Sequence, residues 1–209
     1  LLSVVKIFVL LTGLWAVIAL AVQVLLTWGG GRREYSQRTG SPWRGVVYIF
    51  TVAMTPAHKE SIRRHPAQFA LGLLMHLGVI LALAIAVLLL AWPEAGERAL
   101  ALLRPAMAIA LLAGLCLCVR RLVSKNLRVM SVPDDYLAIF ATCGLLAFAC
   151  FTPIDGRGGE SAFLIYAGLL LLYLPLGKLR HAVFFFVARG NYGLRLGYRG
   201  VYPPPARLE

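Results

Sequence analysis

Five apolar runs, each near the length that carries an α-helix across a hydrocarbon core, constrain this chain more than any other feature: Ser3 to Trp28, Phe69 to Trp92, Ala101 to Val119, Tyr136 to Thr152 and Ala162 to Val187. Crossing a core of about 30 Å takes roughly 20 helical residues. In lipid a helix satisfies its backbone N–H and C=O groups within one segment, whereas a barrel needs strands of alternating polarity, and no such alternation is present. The sequence therefore predicts an all-α integral membrane protein, a bundle of five transmembrane helices. Composition agrees, since 60% of the 209 residues are hydrophobic and 14% charged, too little polar side chain to solvate an ordinary globule.

A net charge of +12 would suit a nucleic-acid reader if the basic residues gathered on a folded polar face. They fall instead between the apolar runs, which excludes nucleic acid as the partner and makes the charge a statement about topology. Arg32, Arg33, Arg38, Arg44, Lys59, Arg63 and Arg64 lie in the first connection, Arg120, Arg121, Lys125 and Arg128 in the third, and Arg189, Arg195, Arg199 and Arg207 at the end. The second and fourth connections hold Arg98, Arg104 and Arg157, diluted by Glu94, Glu97, Asp155 and Glu160. The positive-inside rule then predicts an N-terminus outside and a C-terminus in the cytoplasm, in the inner (cytoplasmic) membrane. Five crossings make the two ends opposite, in agreement.

The first span is too long for the apolar core of a signal peptide and no small-residue cleavage site follows it, so it is expected to be a retained helix. Its polar Gln23 is expected to pack against a neighbour or the interface. Residues 29–66 form a long first connection, glycine-rich and basic at first, then apolar around "VVYIFTVAM", as an interfacial segment leading into a short helix would be. The chain divides on this reading into a membrane domain, 1–190, and a cytoplasmic tail, 191–209, basic, aromatic and proline-rich, suited to docking a partner. Cys116, Cys118, Cys143 and Cys150 sit in or at the edge of spans without paired spacing and read as helix packing.

The chain has four histidines, and they are the informative residues. His58 and His65 fall in the basic first connection, where solvated or interfacial roles are the default. His76 lies inside the second span, and His181 near the cytoplasmic end of the fifth. An imidazole among lipid-suited residues must find a partner, either a carbonyl of a helix or a ligand. Opposed helices bring the two histidines to comparable depth, which favours a ligand shared between them. The five expected spans contain no Asp or Glu, so zinc lacks ligands, whereas a haem brings four ring nitrogens and needs two axial residues. Gly72, Gly78, Gly114 and Gly168 admit either a flat macrocycle or close helix contact. Arg120 and Arg121 close the third span at the level of haem propionates, or equally of lipid headgroups.

"MHLGVILAL" in the second span, "CLCVRRLVSKNLRV" closing the third, "PDDYLAIFATCGLLAFACFTPID" and "YLPLGKLRHAVFF" together resemble the cytochrome b gamma subunit of respiratory nitrate reductases and related membrane subunits of heterodisulfide-reductase-like complexes. The resemblance covers roughly residues 1 to 190. It implies five helices with the N-terminus outside, and haem b held by histidines of the second and fifth helices. His76 and His181 match one ligand pair, and Arg121 a propionate-facing arginine. The positions of a second pair hold Ala86 and Phe163, which cannot ligate iron, so the resemblance implies one haem b with the outer haem lost. Quinone, menaquinone or ubiquinone, would then react nearer the cytoplasmic side, where His58, Lys59 and His65 supply polar or proton-transferring groups.

The function expected is that of a haem b subunit of a respiratory redox complex, passing electrons between the membrane quinone pool and a cytoplasmic iron–sulfur subunit. The alternatives are a haem-free structural anchor of such a complex and a small transporter, the latter opposed by the lack of acidic residues in the spans and of an internal repeat.

Overall fold

A computed structural model describes residues 2–29, 41–55, 58, 60–153 and 160–196, and the described residues are helical with no strand among them. In chain order the helices are α1 (Leu2–Gly29), α2 (Pro42–Phe50), α3 (Glu60–Arg64), α4 (Pro66–Ala91), α5 (Pro93–Val123), α6 (Lys125–Met130), α7 (Pro133–Phe151), α8 (Ser161–Tyr173) and α9 (His181–Leu196). Proline punctuates them: Pro42, Pro66, Pro93 and Pro133 each open a helix, where the missing N–H costs no hydrogen bond and φ is already helical. Helix starts therefore lie upstream of where apolar residues begin. The acidic and basic residues at 94–98, expected in a connection, form the first turns of α5, and Glu94 faces Arg98 one turn on at 3.7 Å.

Among the described residues four helices are long and apolar enough to cross a membrane: Ser3–Trp28, Pro66–Ala91, Pro93–Val123 and Pro133–Phe151. The fifth stretch, expected as one helix over 162–187, is two, Ser161–Tyr173 and Lys178–Arg195, so that the count reaches five when the pair serves as one span. Pro175 causes the break, since its ring nitrogen has no proton for the carbonyl four residues back and its ring collides with that turn. Around the break the Tyr173 carbonyl accepts the N–H groups of Leu176 at 2.9 Å and Gly177 at 3.3 Å. By length and composition, several of the described helices could span a membrane.

The protein divides into two compact units, residues 1–19 with 67–179, and residues 20–66 with 180–209. In the first, α5 packs on α7 and α7 on α8. Its core includes Val9, Ile85, Leu89, Leu100, Met107, Leu145, Leu146, Phe163 and Leu164. Three of the glycines noted above serve helix contact. A methyl group at Gly78 would meet Ala110 Cβ, at Gly114 Cys143 Sγ at 2.8 Å, and at Gly168 the ring of Phe8 at 2.5 Å. Such small-residue contacts let membrane helices approach closely where no hydrophobic effect drives them together. Trp15 Nε1 donates to the Leu172 carbonyl at 3.2 Å, tying α1 to α8.

In the second unit α2 packs on α9. Ser41 caps α2 by accepting the Arg44 N–H, Pro42 opens it, and Gly193 of α9 crosses so close that a Cβ there would stand 2.8 Å from the Gly45 carbonyl oxygen. Phe50 stacks on Phe186 with ring centroids 6.1 Å apart, and the Arg189 guanidinium lies 5.2 Å above the Phe185 ring. Residues 191–196, assigned above to the tail, continue α9, and 197–209 lie outside the described residues.

Candidate functional site

His76 belongs to the first unit and His181 to the second. His76 sits on α4 beside the face that enters the core, which runs through Gly78, Ala82, Ile85, Ala86 and Leu89 at helical spacing. The imidazole is thereby exposed at the surface of its helix and not enclosed among core side chains. Its Nδ1 lies 2.6 Å from the Gly72 carbonyl oxygen one turn earlier. A carbonyl only accepts, so Nδ1 is the donor in this contact. An N–H to backbone carbonyl bond of this kind fixes tautomer and ring direction in metal-ligating histidines. Around Gly72, on the same face, a Cβ would meet nothing within 4 Å, unlike its three packed counterparts. His76 and the ground beside it thus fit an axial ligand with a flat group next to it. His181 is the first residue of α9 and exposed.

The remaining expected site residues are dispersed. Arg120 is exposed, and its carbonyl accepts the Ser124 N–H at 3.0 Å. Arg121 is half-buried and turned onto the protein, with Nη1 donating to Ser131 Oγ at 2.8 Å and 3.5 Å from Asp135 Oδ1. His58 is exposed with Nδ1 3.0 Å from Thr55 Oγ1, and His65 is exposed between α3 and α4. Lys59 lies outside the described residues. Ala86 and Phe163, which stand where a second ligand pair would, are both buried in the hydrophobic core. Among the described residues no three His, Cys, Asp or Glu side chains converge as a metal cage would require; two axial ligands need no such convergence.

Comparison of this chain with protein families, with curated proteins and with solved structures finds no match.

Two polar features had no counterpart in the expectations from sequence. Asp134 and Asp135, in the first turn of α7, reach the break between α8 and α9. The Tyr173 hydroxyl donates to Asp134 Oδ1, and the Lys178 backbone N–H donates to Asp134 Oδ2 at 2.7 Å. Asp135 Oδ1 takes Lys178 Nζ at 2.6 Å, while its Oδ2 accepts the Val132 N–H at 2.9 Å and so caps α7. The signals were present in the sequence: Pro-Asp-Asp is a helix start, and Pro175 followed by Gly177 is a break.

Arg104, counted above with the charges of the second connection although the third span was expected from Ala101, lies inside α5, next to Pro105. Its Nη2 donates to the Thr152 carbonyl at the end of α7, at 2.7 Å. Its Nε and Thr152 Oγ1 are both buried without a hydrogen-bond partner. The apolar run from Pro105 to Val119 is thus bounded by Arg104 at one end and Arg120 and Arg121 at the other.

Proposed function

We propose that this chain is the haem b subunit of a membrane redox complex, moving electrons between quinone and an iron–sulfur subunit on the cytoplasmic face. The observation that carries the proposal is His76: a histidine in a membrane-spanning helix, its Nδ1–H bonded to the Gly72 carbonyl, with open ground at Gly72. His76 and His181 are the proposed axial ligands. The bound haem supplies one-electron chemistry, and the protein sets its potential through ligand identity, hydrogen bonding and burial. The Gly72 carbonyl holds the His76 ring and raises its basicity as a ligand. Arg120 is the better placed of the two arginines to meet a propionate, since Arg121 also serves Asp135 and Ser131. Packed Ala86 and Phe163 support a single haem.

The proposal takes the broken α8 and α9 pair as the fifth crossing, with the N-terminus outside, and places the basic connections and the tail on the cytoplasmic side as the docking face. His58, Lys59 and His65 belong to that side and are the proposed quinone or proton-transfer groups. The test is to add reduced quinol to the purified chain in detergent and record the visible spectrum. A b-type band that quinol reduces is expected. A chain with no b-type band would contradict the proposal and leave a structural anchor.

A further inference from the structure

Met75 of α4, Gly114 and Cys118 of α5 and Cys143 of α7 all belong to the first compact unit, and each lies well inside its helix. A Cβ built on Gly114 would stand 2.8 Å from Cys143 Sγ and 3.3 Å from Met75 Sδ. Two sulfurs from two different helices therefore converge on one point of α5, and the missing side chain of Gly114 is what lets them approach. Cys118 follows Gly114 by four residues, one turn along the same face, and a helical side chain leans back over the turn before it. It is within electrostatic reach of the Cys143 thiol. Both cysteines are free thiols, 5% and 6% exposed, and Met75 is half-buried. The Thr142 hydroxyl beside Cys143 is committed to the carbonyls of Ala138 at 2.9 Å and Ile139 at 3.0 Å. The donors that gather here are two thiols and a thioether.

We propose that Met75, Cys118 and Cys143 form a binding site for a soft monovalent cation, Cu(I), where α4, α5 and α7 meet. Helix bundles build metal sites from side chains on facing helices, and thiolate with thioether is the ligand set that selects Cu(I). A structural zinc takes four ligands from Cys, His and carboxylate, and magnesium and calcium take oxygens, so this set suits none of them. An ion about 2.3 Å from each of three sulfurs keeps them ~4 Å apart, near ordinary contact distance, so a packed interface admits it without a cavity. Cu(I) enters already reduced and no electron moves; each thiol that ligates it as thiolate releases its proton to solvent. Two thiolates leave the filled site with a net negative charge, and Arg120 and Arg121 follow Cys118 within one turn of α5. The site uses neither His76 nor His181 and stands apart from the haem reading.

The test uses the full chain in detergent, reduced and free of oxygen, with Cu(I) presented as its complex with the chelator bathocuproine disulfonate. The chain should draw one Cu(I) from the chelator, and X-ray absorption at the copper edge should show a first shell of three sulfurs. Cys118→Ser and Cys143→Ser should each lose the ion to the chelator. Met75→Leu, which nearly conserves volume, should bind more weakly and show two sulfurs in place of three. Cys116→Ser should bind like the parent, because Cys116 is exposed and lies about half a turn round α5 from Gly114. If a serine variant is not recovered folded, the copper-edge spectra of the parent and Met75→Leu decide the matter. A parent that draws no copper, a first shell of nitrogen or oxygen, or full retention in both serine variants would overturn the proposal. So would three sulfurs remaining in Met75→Leu, or loss of the ion in Cys116→Ser.

Discussion

Gly72 and Gly78 lie on one helix and in one apolar run, yet the structure gives them opposite tolerances for a methyl group. At Gly78 the added Cβ overlaps Ala110 Cβ, which is fixed to the α5 backbone, and stands 3.3 Å from Leu146 Cδ2, so α4 and α5 must separate. At Gly72 it meets nothing within 4 Å. Each Gly→Ala change gains about 0.8–1.0 kcal/mol of helix propensity, a term common to both variants. The difference between them therefore isolates packing. Overpacking costs typically about 1–3 kcal/mol, and the rigid Ala110 contact argues for the upper end. For a chain of this length ~3 kcal/mol corresponds to a gap of about 6–12 °C in melting temperature. The assay is thermal melting in detergent of Gly72→Ala and Gly78→Ala protein prepared without haem. Gly72→Ala should melt at or above the parent and Gly78→Ala well below it. A third variant, Gly72→Leu, should melt like the parent without haem yet bind less haem, because it fills the ground beside His76. Equal melting of the two alanine variants would refute the packing argument, and full haem in Gly72→Leu would refute the assignment of that face.

Haem per chain should be near one, and replacing His58 or His65 by alanine should leave it there, since both are exposed residues outside α4; a pyridine haemochrome ratio near two that falls on His65→Ala would show a second site. Cross-linking in the assembled complex should reach the iron–sulfur subunit from Lys125, in the basic connection after α5, and not from Glu94 at the opposite end of that helix; the reverse pattern would contradict the proposed topology.

Apolar length alone made the membrane class and the first four spans legible, because a hydrocarbon core imposes a minimum that Ser3–Trp28 and its counterparts meet. Helix starts were less so. Hydropathy ignores residues such as Glu94 and Arg98, whereas the helix begins with the proline before them and the charged side chains point outward at the ends of α5. The fifth stretch misled for a related reason: hydropathy averages over Pro175 and Gly177, while the backbone responds to one missing N–H. Asp134 and Asp135 escaped notice because each acts across some forty residues of sequence, on Lys178, a pairing that no local pattern encodes. Cys143 and Gly114, by contrast, were legible as a class, small residues for packing, without being legible as a pair. The setting of His76 among apolar neighbours made it a candidate from sequence, but its Gly72 bond and its position beside the core face are properties of the folded helix.

The central claim, that His76 and His181 ligate a haem, is tested most directly by the reduced-minus-oxidised and ferric low-spin spectra of His76→Ala and His181→Ala beside the parent chain. The account predicts a six-coordinate low-spin b-type spectrum in the parent and its loss in each variant, with melting of the haem-free proteins little changed because both side chains are exposed. Full low-spin haem in either variant would contradict it.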